Sequence, residues 1–310
     1  MTQLEIPHVF AGNPLDRGEV QRRDPNWLAD APHNPGARFL PVQSLKIALA
    51  DPESEEFTTP GLRWFDHNAL REHFETGTTV LLGLENDEPR FAVDICGSKQ
   101  VPKNCKFTDA RHAAMTLDTP SAGIVAQARA QLNWHAKNGY CSTCGNPTES
   151  ARGGQIRNCA KCESHIFPRT DPVVIMLVCD DTHCLLGQSA MRMPRMKMYS
   201  ALAGFVDQAE SIEEAVRREV REEAGIEAGA VRYHSSQPWP FPSSLMIGAH
   251  AEPLTREIDF DPQEMADVRW FTRDEVSQAF AGELEFGLPG EIAIAHHLIK
   301  HWLEQDETNQ

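Results

Sequence analysis

Residues 204–226 read GFVDQAESIEEAVRREVREEAGI, and the rest of the chain is best understood outward from them. Ser211 followed by Glu214 makes a capping box, with Ser at the N-cap and Glu three residues on. Gly225 suits the left-handed residue that stops a helix. The stretch therefore predicts a helix over 212–224. At about 100° per residue, with Ile212 at zero, Ala215 lies near ~300°, Val216 near ~40° and Val220 near ~80°, an apolar stripe that faces a core. Glu219 at ~340° and Glu223 at ~20° fall inside that stripe. Glu213, Glu214 and Arg221 point to the far side, as an ordinary solvated face does. A solvated face does not account for Glu219 and Glu223, which are four apart and repel one another. Burying carboxylates unpaired is costly, a divalent cation removes that cost, and hard oxygen donors favour Mg2+ or Mn2+ over Zn2+.

Around this helix the pattern is α/β. Residues 172–178 form a continuous apolar, β-branched run, as in a buried central strand. A second strand is expected over 184–188, after the turn Asp180-Asp181-Thr182-His183. A strand near 245–251, the Trp270-Phe271 segment and a helix over about 292–303 complete the unit. Upstream, Ala, Ile, Val and Leu recur at helical spacing over 121–138, and Gly139 stops the helix. Two strands, 78–84 and 90–95, are joined by the polar turn at 85–89. The first 40 or so residues are rich in Pro, Asn, Asp and Gly and suggest an irregular arm. The expected organisation is a β-rich N-terminal domain with that arm over 1–120, a linker helix and cysteine ribbon over 121–168, and the α/β unit over 169–310.

Four of the eight cysteines are patterned. Cys141-x2-Cys144 and Cys159-x2-Cys162 are separated by fourteen residues. Each knuckle delivers two thiolates, and four thiolates close a tetrahedral structural Zn2+ site. A redox pair explains one knuckle but not two. His165 reads as a packing or surface residue beside a filled site. Cys96, Cys105, Cys179 and Cys184 show no paired spacing and read as ordinary thiols.

Over 310 residues the formal net charge is −16, and hydrophobic and charged residues make up 41% and 24%. Such a chain repels polyanions in general, and no basic run accompanies the ribbon, where Glu149 and Glu163 stand. A small anionic substrate remains compatible if a metal supplies positive charge locally. No apolar run approaches the ~20 residues of a membrane helix, and the first residues carry no basic and apolar signal pattern. A cytoplasmic enzyme with no membrane partner is expected.

A last motif follows at Ser236-Gln237-Pro238-Trp239-Pro240-Phe241-Pro242-Ser243-Ser244. Its prolines stiffen the backbone and present two aromatics at little entropic cost. On residues alone this is either a base-stacking platform or a proline-rich turn plugged by Trp239 and Phe241.

Residues 204–226 match the Nudix pattern Gly-x5-Glu-x7-Arg-Glu-apolar-x-Glu-Glu-x-Gly-apolar at every specified position. With the ribbon before it and the aromatic array after it, the chain from about residue 128 onward resembles the NADH pyrophosphatase (NAD-capped RNA hydrolase) family of Nudix hydrolases. The resemblance implies a Nudix α/β/α sandwich with a mixed sheet, preceded by a zinc ribbon and a β-rich Nudix-like N-terminal domain. It implies hydrolysis of the diphosphate bond of NADH or NAD+ to nicotinamide mononucleotide and AMP, in some members removal of NAD caps from RNA 5′ ends, and a homodimer. By position, Ala203 (through its carbonyl), Glu219, Glu223 and Glu264 resemble the divalent-metal ligands. Glu222 resembles either a further ligand or the base, a role Glu264 also fits; Arg218, read from the residues alone, either holds a glutamate by a bidentate pair or is a surface charge. Phe167, Phe205, Ala295 and Gln237, Pro238, Trp239, Pro240, Phe241, Pro242, Ser243 and Ser244 match substrate-contact positions. Two positions depart from some members: Phe167 replaces a Tyr, and Gly154 replaces a Glu. The alternatives are an enzyme acting mainly on capped RNA and a noncatalytic zinc-ribbon binding protein, the latter disfavoured by the complete glutamate set.

Overall fold

The computed structural model describes residues 8–51, 61–74, 77–96, 102–190 and 197–305. The chain divides into two compact units. One comprises Met1–Thr170 with Trp239–Ser243, the other Asp171–Pro238 with Ser244–Gln310.

In the first unit, α1 (Pro25–Asp30) starts where Asp24 accepts from the Asn26 and Trp27 N–H groups, with Pro at the first helical position. Strands β1 (Arg38–Gln43), β2 (Lys46–Ala50), β3 (Thr79–Glu85), β4 (Glu88–Asp94) and β5 (Cys105–Thr108) form a sheet in the order β3-β4-β1-β2-β5. Only β1–β4 is parallel. The turn expected over 85–89 tightens to Asn86-Asp87, both left-handed with φ of 52° and 66°, which suits a two-residue hairpin. Helix α2 (Ala110–Ala114) precedes α3 (Thr119–Lys137), which lays Ile124, Val125, Ala128 and Leu132 onto Leu40, Val42, Ile47, Val80 and Leu82. The opposite sheet face buries Phe39, Leu81, Phe91 and Val93. Phe10 and Leu15 are buried, so much of the expected arm is packed; its elements are too short to show periodicity. Strands β6 (Glu149–Ala151), β7 (Ile156–Asn158) and β8 (His165–Ile166) make a small antiparallel ribbon.

The second unit is built on β9 (Asp171–Cys179), whose alternate residues face two cores. Val174, Met176 and Val178 join one cluster, and Ile175, Leu177 and Cys179 the other. Beside it lie β10 (His183–Ser189), β11 (Leu202–Phe205), β12 (Ala228–Trp239), β13 (Ser244–Pro253) and β14 (Met265–Thr272), in the order β12-β13-β9-β10-β14 with β11 also on β9. The β9–β13 pair is parallel while β9–β10, β9–β11 and β10–β14 are antiparallel, which makes the sheet mixed. Helix α4 (Ile212–Ala224) covers one face and α6 (Ile294–Glu304) the other, with α5 (Arg273–Ala281) after β14. Among the described residues no helix is long and apolar enough to cross a membrane.

Candidate active site

Helix α4 starts and stops where its sequence dictates. Ser211 Oγ accepts the Glu214 N–H at 3.2 Å, Glu214 Oε2 accepts the Ser211 N–H at 2.7 Å, and left-handed Gly225 ends the helix. Ala215, Val216, Val220 and Ala224 are fully buried, whereas Ile212 is 37% exposed, so the apolar stripe begins one turn into the helix. The Glu219 side chain is only 12% exposed. It lies against β11, whose Ala203 and Gly204 pair with Ile175 and Val174 of β9. A Cβ on Gly204 would fall 1.9 Å from the Glu219 carboxyl carbon, so glycine is required here to admit the carboxylate. The Ala203 N–H donates to Glu223 Oε2 at 3.1 Å, bringing β11 to the second carboxylate of the stripe.

Arg218 organises the acidic cluster. Its Nε and Nη2 form a bidentate pair with Glu210 at 2.6 and 2.8 Å, and Nη1 donates to Glu219 at 2.7 Å and Glu222 at 2.9 Å. Nη2 also donates to the Phe205 carbonyl at 2.8 Å. The guanidinium holds the Glu210 carboxyl down to about 2. Burial pushes the Glu219 carboxyl up despite Arg218, and the neighbouring Glu222 and Glu264 charges add to that rise. Glu210 is thus a fixed counter-ion, whereas the protein environment disfavours charge on Glu219. One arginine among three bonded carboxylates leaves an excess of negative charge that a divalent cation suits. Among the described residues these glutamates do not draw three oxygens to within 4.8 Å of one another, so the set is not closed as the cysteines are. Glu264 is exposed in the turn before β14, where its carbonyl accepts the Ala190 N–H at 2.9 Å. A cavity of about 220 Å³, lined by Gln188, Ser189, Ser200, Ala203, Glu223 and Met265 among others, opens beside Glu223.

The four patterned cysteines converge, with their sulfurs all within 4.8 Å of one another. Cys141–Cys162 and Cys144–Cys159 sulfurs are 3.6 and 3.5 Å apart. Four thiolates at ~2.3 Å from one ion in tetrahedral array are separated by about 3.8 Å, so the set fits a single Zn2+.

The expected substrate-contact residues are dispersed. Phe205 and Phe167 are exposed, at 61% and 63%. Ala295 is buried in the α6 core cluster. Gln237 is fully buried; its amide donates to the Ile292 carbonyl and accepts the Ile294 N–H, both at 2.8 Å, anchoring the start of α6. The array divides after Pro238, because Trp239–Ser243 belongs to the first unit. There Phe10 meets the Trp239 and Phe241 rings edge-on at 5.9 and 5.7 Å. Trp239, Phe241, Ser243 and Ser244 are half-buried, Pro240 is buried and Pro242 is exposed. Gly154 is buried at φ +87°, and a Cβ there would come within 2.6 Å of Val80, so this backbone does not accept a glutamate without shifting. Two features went unread from the sequence. Glu210 is the main partner of Arg218, signalled only by its fixed place in the 204–226 pattern. The Tyr199–Asp267 hydrogen bond joins residues far apart in the chain and had no local signal.

A mixed sheet between two helical layers, with this arginine–glutamate helix laid against Gly204 of β11, defines a Nudix hydrolase. A NUDIX domain model matches residues 169–287, and the NADH pyrophosphatase-like rudimentary NUDIX domain matches residues 36–134. Human NAD-capped RNA hydrolase NUDT12 is 36% identical, over 96% of this chain and 74% of that protein. Human mitochondrial NAD(P)H pyrophosphatase NUDT13 is 41% identical over 73% and 72% of the two chains. NAD-capped RNA hydrolase NudC of Mycobacterium bovis is 43% identical over 63% and 64%. The chain belongs to the NADH pyrophosphatase family of Nudix hydrolases. Membership in a family of hydrolases favours the catalytic reading over the noncatalytic one.

Proposed function

We propose that this chain hydrolyses the diphosphate bond of NADH and NAD+, giving nicotinamide mononucleotide and AMP. The observation that carries the reading is the Glu219 carboxylate, half-buried against Gly204 and held by Arg218 at 2.7 Å. Mg2+ or Mn2+ would be held by Glu219, Glu223, Glu264 and the Ala203 carbonyl, and Zn2+ by Cys141, Cys144, Cys159 and Cys162. When bound, the divalent ions neutralise diphosphate oxygens, lower the pKa of the attacking water and stabilise the leaving phosphate. The chain's own part is orientation and proton transfer. Arg218 fixes Glu219 and Glu222 relative to one another, and Glu222, with its side chain 50% exposed, is accessible to act as the base. Glu264 is the alternative base. A homodimer and a cytoplasmic location complete the proposal.

The second reading, removal of NAD caps from RNA, is favoured by the names of the relatives, NUDT12 among them. The net charge of −16 weighs against tight binding of the RNA body. A side-by-side kcat/KM for NADH and for an NAD-capped oligonucleotide distinguishes them. A capped-RNA value that exceeds the NADH value and declines steeply with salt would favour decapping.

A further inference from the structure

The array at 236–244 ends β12 at Trp239 and begins β13 at Ser244, and Pro240 and Pro242 in the turn between them have no N–H to donate. Within this turn the Phe241 N–H donates to the Trp239 carbonyl at 2.8 Å. Residues Trp239–Ser243 belong to the first unit, whose side chains bear on the turn. Arg129 of α3 donates from Nη1 to the Pro240 carbonyl at 2.6 Å, and its guanidinium lies 4.7 Å from the Phe241 ring centroid. Arg111 of α2 lies 4.0 Å from the same ring and 5.8 Å from the Trp239 ring. Phe10, only 2% exposed, closes the edge of both.

Arg129 is well placed to act as a fixed support. It is half-buried on a helix whose neighbouring Val125, Ala128 and Leu132 are packed into the core. A planar guanidinium can bond a carbonyl and lie over an aromatic ring at once, which an ammonium cannot match in both respects. Trp239 and Phe241 stay half-buried, so part of each remains open.

We propose that Arg129 is a positioning residue for substrate affinity: it seats the Pro240–Phe241 step and so holds the aromatic pair ready to stack on the dinucleotide. This rests on the reading of Trp239 and Phe241 as substrate contacts. Pre-set aromatics lose little freedom on binding, so loosening them raises KM and leaves the reacting centre alone.

The experiment is a set of NADH saturation curves at fixed Mg2+ for the wild-type chain, Arg129→Met, Arg129→Lys and Phe241→Leu, with thermal melts of each. Arg129→Met is expected to raise KM about tenfold while kcat stays within about threefold. Arg129→Lys, which keeps a donor for the carbonyl but not the planar contact with the ring, recovers part of the loss. Phe241→Leu raises KM at least as much. A folded Arg129→Met protein with wild-type KM, beside a raised KM in Phe241→Leu, overturns the inference and leaves the stacking role intact. Wild-type KM in Phe241→Leu removes the stacking role and the inference with it. A fall in kcat without a change in KM, unrelieved by Lys, marks a general structural role and also overturns it. Should Arg129→Met fail to fold, exposed Arg111→Met carries the test: raised KM supports the seat, and unchanged KM refutes it.

Discussion

Adding a single methyl group at Gly204 should separate folding from catalysis. An ideal Cβ at this position lies 1.9 Å from the Glu219 carboxyl carbon and 2.0 and 2.1 Å from its two oxygens. Ordinary contact is about 3.5 Å, so the carboxylate must retreat by roughly 1.5 Å. The atoms that move are the end of a flexible side chain, and the backbone of β11 can stay where it is. Rotating Glu219 off its rotamer costs about 0.5–1.5 kcal/mol. Loss of its bond to Arg218, at 12% and 19% side-chain exposure, adds about 1 kcal/mol. Together these are about 1.5–2.5 kcal/mol, which for a unit of this size lowers Tm by roughly 5–12 °C. The catalytic effect is larger, because misplacing a reacting or ligating group by ~1 Å costs about 100-fold. Gly204→Ala should therefore keep a cooperative melt while kcat/KM for NADH falls about 100-fold or more, with a weakened Mg2+ dependence. Turnover by chromatography and a melt by circular dichroism measure the two arms. Wild-type turnover in a folded Gly204→Ala protein would refute the role given to this contact.

Glu219→Gln and Glu223→Gln should each leave the melt near wild type and reduce turnover by roughly 100-fold or more, because charge for the cation is lost while shape is kept; near-normal rates with Mg2+ and with Mn2+ in both would contradict the site. Replacing Cys159 by Ser should release Zn2+, read by a colorimetric chelator, and lower the melting midpoint, since a closed site of four thiolates contributes directly to folding; unchanged metal content and stability would count against a structural ion. Acid should destabilise the fold through His250, which is 8% exposed and is pushed down to about 4, chiefly by burial, with His234, His301 and Arg232 lowering it further. Unfolded chains take up that proton near pH 6.5 and the folded chain does not, so stability present above that pH falls as pH drops toward 4, by up to about 3 kcal/mol. Urea midpoints of wild type and His250→Gln across pH 7 to 4.5 test this, and an equal slope in the two proteins would rule it out.

How legible each part was depends on how local its cause is. The helix at Ile212–Ala224 was readable to the residue, because the Ser211–Glu214 capping box and Gly225 are signals contained in it. The cysteine ribbon was readable for the same reason. Helical periodicity also put Glu219 and Glu223 in the apolar stripe, although Ile212 lies at its exposed end. The reason for Gly204 was not legible, since it is a contact across space between β11 and α4. The strand at Ala228–Trp239 was missed because most of its side chains are only partly buried and its end carries a proline, which blurs the alternation. Gln237 shows the limit of motif reading most clearly. It sits inside a substrate-associated motif, yet its amide is buried and bonded at the start of α6.

Which bond is broken is the most direct test of the proposed chemistry. NADH incubated with the wild-type chain and Mg2+, then separated by chromatography, should give reduced nicotinamide mononucleotide and AMP in equal amounts, with conversion by Glu219→Gln slower by about 100-fold or more. NADH left intact by the folded wild-type protein with both Mg2+ and Mn2+, or release of free nicotinamide in place of AMP, would contradict it.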